Sequence, residues 1–146
     1  MVDTDPAAAD RELADNDPLG IVASAVLVEL AARRRTEDFG ALLIELHRRS
    51  PGSPLTSEEA VNQLGYTLLA AKRPETAVEA FRVNTVLYPA SGNSYDSLAE
   101  TYMHPGREEL ARQLYAKALE VQPDYPNAKA AREILAAPTS SASPAN

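Results

Sequence analysis

The feature that most constrains this chain is a self-similarity at one fixed offset. Laying residues 57–90 over 91–124, a displacement of 34, aligns seven identical pairs: Ser57/Ser91, Leu64/Leu98, Thr67/Thr101, Arg73/Arg107, Glu75/Glu109, Ala77/Ala111 and Pro89/Pro123. Ordinary composition would give roughly two or three by chance. The character of the pairs matters as much as their number. Gly65/Ala99 and Ala77/Ala111 are small, as close helix approach requires, while Phe81 and Tyr115 are rings set four residues after the second small residue, on the same helix face. A period of this length marks a supersecondary unit that buries its apolar face only against a neighbour.

The apolar spacing within the units is helical throughout, with no run of strand-like alternation. Asp17-Pro18 has the form of an N-cap followed by proline at the first helical position, and a helix is predicted from about 19 to 34, ending on Arg33, Arg34 and Arg35. A second is predicted over 36–49, with Phe39, Leu42, Leu43 and Leu46 on one side, before Ser50-Pro51-Gly52-Ser53-Pro54 breaks the chain. Thr56, with Glu59 three residues on, has the capping-box spacing and predicts the helix 57–71. Helices are expected over 74–88, over 91–103 behind a Ser91 cap, and over 107–121. Asp124 and Pro126 are expected to open a last one fading near Ala137. These are seven helices in antiparallel pairs.

A 34-residue helix-turn-helix with Leu64-Gly65 or Leu98-Ala99, then Ala77 or Ala111, then Phe81 or Tyr115, then Pro89 or Pro123, resembles the tetratricopeptide repeat. The resemblance implies an all-α solenoid: two clear units at 57–90 and 91–124, a degenerate earlier pair with Leu27, Gly40 and Ile44 in the matching roles, and a capping helix at 126–137. A narrower similarity runs through Asn62-Gln63-Leu64-Gly65-Tyr66-Thr67-Leu68-Leu69, Phe81-Arg82-Val83-Asn84, and the segment from Tyr88 to Leu98. It is to a bacterial repeat region often found C-terminal to serine β-lactamase-type hydrolase domains. Asn84 stands where ordinary repeats place Ala.

Composition and motifs bound the chemistry. Cysteine is absent, so no disulfide, thiolate metal site or cysteine nucleophile is available. Of the net charge of −7, residues 1–17 carry −5, and neither they nor the rest offers the basic surface that nucleic acid requires. No apolar run reaches the roughly 20 residues of a membrane span, and the acidic Met1-Val2-Asp3 start is unlike a secretory leader. The expectation is a cytoplasmic protein without cofactor or metal: an acidic disordered tail at 1–17, one repeat domain at 18–137, and a Ser/Pro-rich disordered tail at 138–146. No serine is followed three residues later by lysine, as the hydrolase nucleophile motif demands. Tyr125-Pro126-Asn127 matches a Tyr-x-Asn pattern of those enzymes, but on so short a pattern it reads as chance. His47 and His104 have no ligand at a useful spacing, and the pairs Glu58-Glu59 and Glu108-Glu109 read as dipole-compensating first turns rather than an acid/base pair. The expectation is a protein that is not an enzyme.

In the repeats that this chain resembles, the first helix of each unit lines a concave face. Helical periodicity leaves Asn62, Tyr66 and Leu69 free on one first helix, and Asp96, Glu100 and Met103 on the next. The face is slightly acidic and carries one ring, so the expected function is a scaffold binding a protein or peptide with lysine or arginine. It lacks the cations that chaperone-tail clamps of the family use. Two alternatives stand beside this reading. One is a self-associating structural protein, a homo-oligomer formed through the 21–30 helix; the other is an accessory subunit of a separate hydrolase.

Overall fold

The computed structural model describes residues 21–104 and 106–139. Among the described residues the chain is helical with no strand: α1 (Ile21–Ala32), α2 (Thr36–Arg49), a 3-10 turn (Pro54–Thr56), α3 (Glu58–Ala70), α4 (Pro74–Leu87), α5 (Gly92–Thr101), α6 (Glu108–Val121) and α7 (Ala128–Ala136). The expected tail at 1–17, the Asp17-Pro18 helix start and all but the first two residues of the 138–146 tail lie outside the described residues. The chain divides into two compact units, one ending at Leu87 and the other beginning at Tyr88.

In the first unit, α3 and α4 form an antiparallel hairpin. Its start is not capped as the sequence suggested. Thr56 is used up in the 3-10 turn, wholly buried with Oγ1 3.2 Å from His47 Nδ1, and Ser57 becomes the cap, its Oγ accepting from the Ala60 N–H at 3.1 Å. The hairpin turns on a Schellman closure. The Arg73 N–H donates to the Leu68 carbonyl at 2.9 Å and the Lys72 N–H to Leu69 at 3.0 Å, with Lys72 in the left-handed region at φ 60°. Pro74 then fills the first helical position of α4, where its missing N–H costs nothing.

The core of this unit joins all four helices: Leu27 and Ala31 from α1, Phe39 and Leu43 from α2, Val61, Leu64 and Leu68 from α3, and Ala77, Ala80, Phe81 and Val83 from α4. A Cβ on Gly65 would overlap the Phe81 ring, so glycine is what lets α3 lie so close to α4. The Arg73 guanidinium donates to the Ala31 carbonyl at 3.2 Å and ties the α3–α4 turn to the end of α1. Helix α1 is apolar almost all round, with Glu29 its one charge, and Val26 remains 37% exposed.

The second unit repeats the construction at the same displacement. Ser91, 34 residues after Ser57, caps α5 by accepting from the Ser94 N–H at 3.3 Å. Gly106, 34 after Lys72, is again left-handed at φ 89°. Ala99, Ala111 and Tyr115 are buried together, as Gly65, Ala77 and Phe81 are buried in the first hairpin. Helix α7 closes this core with Ala128 and Ala131, and Arg112 of α6 donates to the Ile134 and Leu135 carbonyls of its last turn at 2.8 and 2.7 Å. That helix opens at Ala128, later than Asp124 and Pro126 suggested, because Tyr125 turns inward and the Asn127 side chain is drawn off to Asp96 instead of capping. No helix among the described residues is long and apolar enough to cross a membrane.

Candidate interaction face

The candidate residues lie on the first helix of each hairpin or just past its end, three in each unit. On α3, Asn62, Tyr66 and Leu69 follow one another at helical spacing. Tyr66 is 37% exposed, and its ring stands edge-on to Phe81, centroids 5.0 Å apart at 72°. The buried ring of α4 thus props an exposed ring of α3, an arrangement favoured by the aromatic quadrupole. Leu69 is half-buried beside it, and Asn62 is half-buried with its Oδ1 wholly shielded. Glu59 and Gln63 are exposed on the same helix.

In the second unit Glu100 is exposed at the end of α5, and Met103, just beyond it, is 40% exposed. Asp96 is not on an open face. It is 4% exposed, and its Oδ2 accepts both the Tyr125 hydroxyl at 2.5 Å and the Asn127 amide at 2.9 Å. The cause is Gly92, one turn earlier. Its bare Cα lets the Tyr125 ring lie flat against α5, where a Cβ would sit 2.6 Å from Cδ1, and this delivers the hydroxyl to Asp96. Burial, then the hydrogen bond from its hydroxyl to Asp96, holds the Tyr125 phenol well above the ordinary tyrosine range.

Sequence reasoning missed this cluster. Its two donors are the Tyr-x-Asn pair, set aside as chance, and they lie 29 and 31 residues from the carboxylate they share. The spacing held a signal, two donors two residues apart, but nothing local named the acceptor. The wholly buried Asn84, noted only as an odd residue for its place, reaches the Glu58 carbonyl through Nδ2 at 3.1 Å and fastens the end of α4 to the start of α3. Arg107 lies 5.7 Å from the centre of the Tyr102 ring, a cation–π contact at the foot of α6.

Charges elsewhere are largely neutralised at short range. Arg33 bonds Glu29, Arg35 bonds Asp38, and Arg48 and Arg49 both bond Glu45. The Arg48 and then the Arg49 hydrogen bond pull the Glu45 carboxyl down to about 2. Among the described residues, no three or more His, Asp or Glu side chains are grouped to hold a metal ion. No family model matches the chain, and no curated protein matches its sequence.

Proposed function

We propose that the chain is a helical-repeat module of tetratricopeptide type. On this reading it works by binding a peptide or protein on the exposed face of the first helix of each hairpin, and performs no chemistry of its own. The observation that carries this is the identical construction of two hairpins 34 residues apart: serine cap, left-handed turn residue and ring packed over a small residue. A unit built this way leaves its first helix with a face that its own partner helix does not use. Tyr66, Asn62 and Leu69 supply that face on α3, and Glu100 on α5 with Met103 just past its end. A ring held rigid by Phe81 is a low-entropy anchor for a partner. Glu59 favours lysine or arginine beside it, and Glu100 does the same beside Met103.

The test is binding of a library of lysine- and arginine-containing peptides, read by fluorescence anisotropy, to wild type and to the Tyr66→Ala, Glu100→Lys double variant. The reading expects retained peptides to be lost by the variant while its far-UV circular dichroism stays unchanged. Equal retention by both proteins would remove the reading.

A second reading is self-association, favoured by the apolar girth of α1 and the exposure of Val26 beside half-buried Val28 and Leu30. Sedimentation velocity over a concentration series decides it, since a concentration-independent monomer excludes it.

A further inference from the structure

Helix α1 is apolar on two sides, and the core uses one of them. Leu27 and Ala31 are buried in the first unit, while Ala25, Val26 and Ala32 on the other side are exposed. A helix that is apolar almost all round is ordinarily covered on both sides. Stacked repeats also need a polar-faced cap at each end. The second unit has one in α7, which turns Ala128 and Ala131 inward and leaves Lys129, Arg132 and Glu133 exposed.

The chain ahead of α1 carries the pattern of a matching cap. A displacement of 68, two periods, lays residues 6–16 over 74–84 and aligns Pro6 with Pro74, Ala9 with Ala77 and Asn16 with Asn84, and Leu13 with Phe81. Ordinary composition would give about one identity over so short a stretch. The matched positions are those that build α4: Pro74 at its first position, Ala77 and Phe81 in the core, and Asn84 fastening its end to Glu58. Asp5-Pro6 has the form of a helix start, and on a helix Pro6, Ala9 and Leu13 fall on one stripe with Arg11 and Asp15 opposite. The departures are as telling as the matches. Glu12 and Asp15 stand where α4 has the buried Ala80 and Val83, so this segment has only one side to bury, as an end cap requires.

We propose that residues 6–15 form a helix lying antiparallel along the exposed apolar side of α1, with Ala9 and Leu13 turned onto it, and so cap this end of the first unit. The direction follows from the link: only residues 16–20 separate the segment from Ile21, and helices joined so closely pack as antiparallel neighbours. As a helix the segment measures about 15 Å, close to the roughly 18 Å of α1. So short a helix is marginal alone in water, and its order comes from docking. The acidic stretch expected from the sequence to be a disordered tail thereby becomes part of the fold. The proposal does not rest on the peptide-binding reading, and it gives the apolar side of α1 an occupant from the same chain.

Hydrogen exchange of the full chain, read by mass spectrometry, tests it. Amides of residues 10–15 should exchange at least about tenfold slower than in an unstructured chain, because exchange then waits on local opening, and dilution should leave this protection unchanged. Leu13→Asp should abolish the protection while exchange in α3 and α4 stays as in wild type. Asp15→Asn, on the solvent side, should preserve it, and Val26→Asp should release the segment from the other side of the contact. Exchange of residues 10–15 at the unstructured rate in wild type would overturn the proposal, as would protection that survives Leu13→Asp. Protection lost on dilution would overturn it too, by placing the segment on a second copy of the chain.

Discussion

The turn residue of each hairpin is left-handed, a conformation that one side chain resists and the other admits freely. Lys72 is left-handed at φ 60°, a region where a Cβ meets the carbonyl beside it at a cost of about 1–2 kcal/mol. Gly106, its counterpart in the second hairpin, has no such penalty. Lys72→Gly is therefore expected to raise stability by about 0.5–1 kcal/mol, net of the extra freedom that glycine gives the unfolded chain. Urea unfolding with an unchanged slope would register it; a loss of stability would show that the lysine side chain contributes more than the turn costs. Gly65→Ala should act the other way. The new Cβ overlaps Phe81, and that ring cannot swing off because Tyr66 stands against it. Overpacking costs about 1–3 kcal/mol and outweighs the roughly 1 kcal/mol that alanine gains in helix propensity, so the urea midpoint should fall. In the second hairpin alanine stands at the same place, and there the residue matching Tyr66 is Glu100, which has no ring of its own.

At the scale of the element, Tyr125, in the loop before α7, and Glu45, on α2, have shifted ionisation and act at opposite ends of the pH range. Tyr125 joins α7 to α5 through Asp96. Its phenol is raised above its ordinary value of 10.0, so the unfolded chain releases that proton first. The stabilisation is complete below pH 10 and declines as the pH rises beyond it. Tyr125→Phe should lower stability at neutral pH by about 2 kcal/mol, the scale of a buried hydrogen bond to a charged group. It should also flatten the alkaline fall, read as the difference in urea midpoint between wild type and variant at pH 9 and pH 11. Parallel curves would mean the phenol titrates alike in both states. Glu45 on α2 is the reverse case, depressed from 4.5 to about 2 by Arg48 and Arg49. Its contribution is present above pH 4.5 and disappears as the pH falls toward 2. Carbon-detected NMR of the carboxyl should find its midpoint near the lower value, and a midpoint in the ordinary glutamate range would break the Arg48–Glu45–Arg49 assignment. The Glu45 side chain is 41% exposed and open to screening by solvent, so the effect on global stability is expected to be slight.

For the whole molecule, the consequence of the repeat reading is how binding responds to salt. The chain carries −7 overall, and the exposed faces of α3 and α5 bring Glu59 and Glu100 beside their apolar residues. Capture of a basic peptide should weaken as ionic strength rises, since exposed charges are screened over about 10 Å at 0.1 M salt. Affinity that holds constant up to high salt would assign binding to Tyr66, Leu69 and Met103 alone, without the carboxylates.

The sequence by itself determined the helices, because apolar spacing, proline and serine are local signals and each acts on its own few residues. It placed α2 at Thr36–Arg49 and put Ser91 at the head of α5, and through the displacement of 34 it matched Gly65 to Ala99, Ala77 to Ala111 and Phe81 to Tyr115. What it left open lay between distant segments. Asp96 looks free when only the turns of α5 are counted, and it is buried because a tyrosine 29 residues later finds Gly92 bare and slides over it. Thr56 has the spacing of a cap, yet packing against His47 consumes it and passes the role to Ser57. Periodicity tells which way a side chain leaves its helix; only the tertiary structure decides what meets it there.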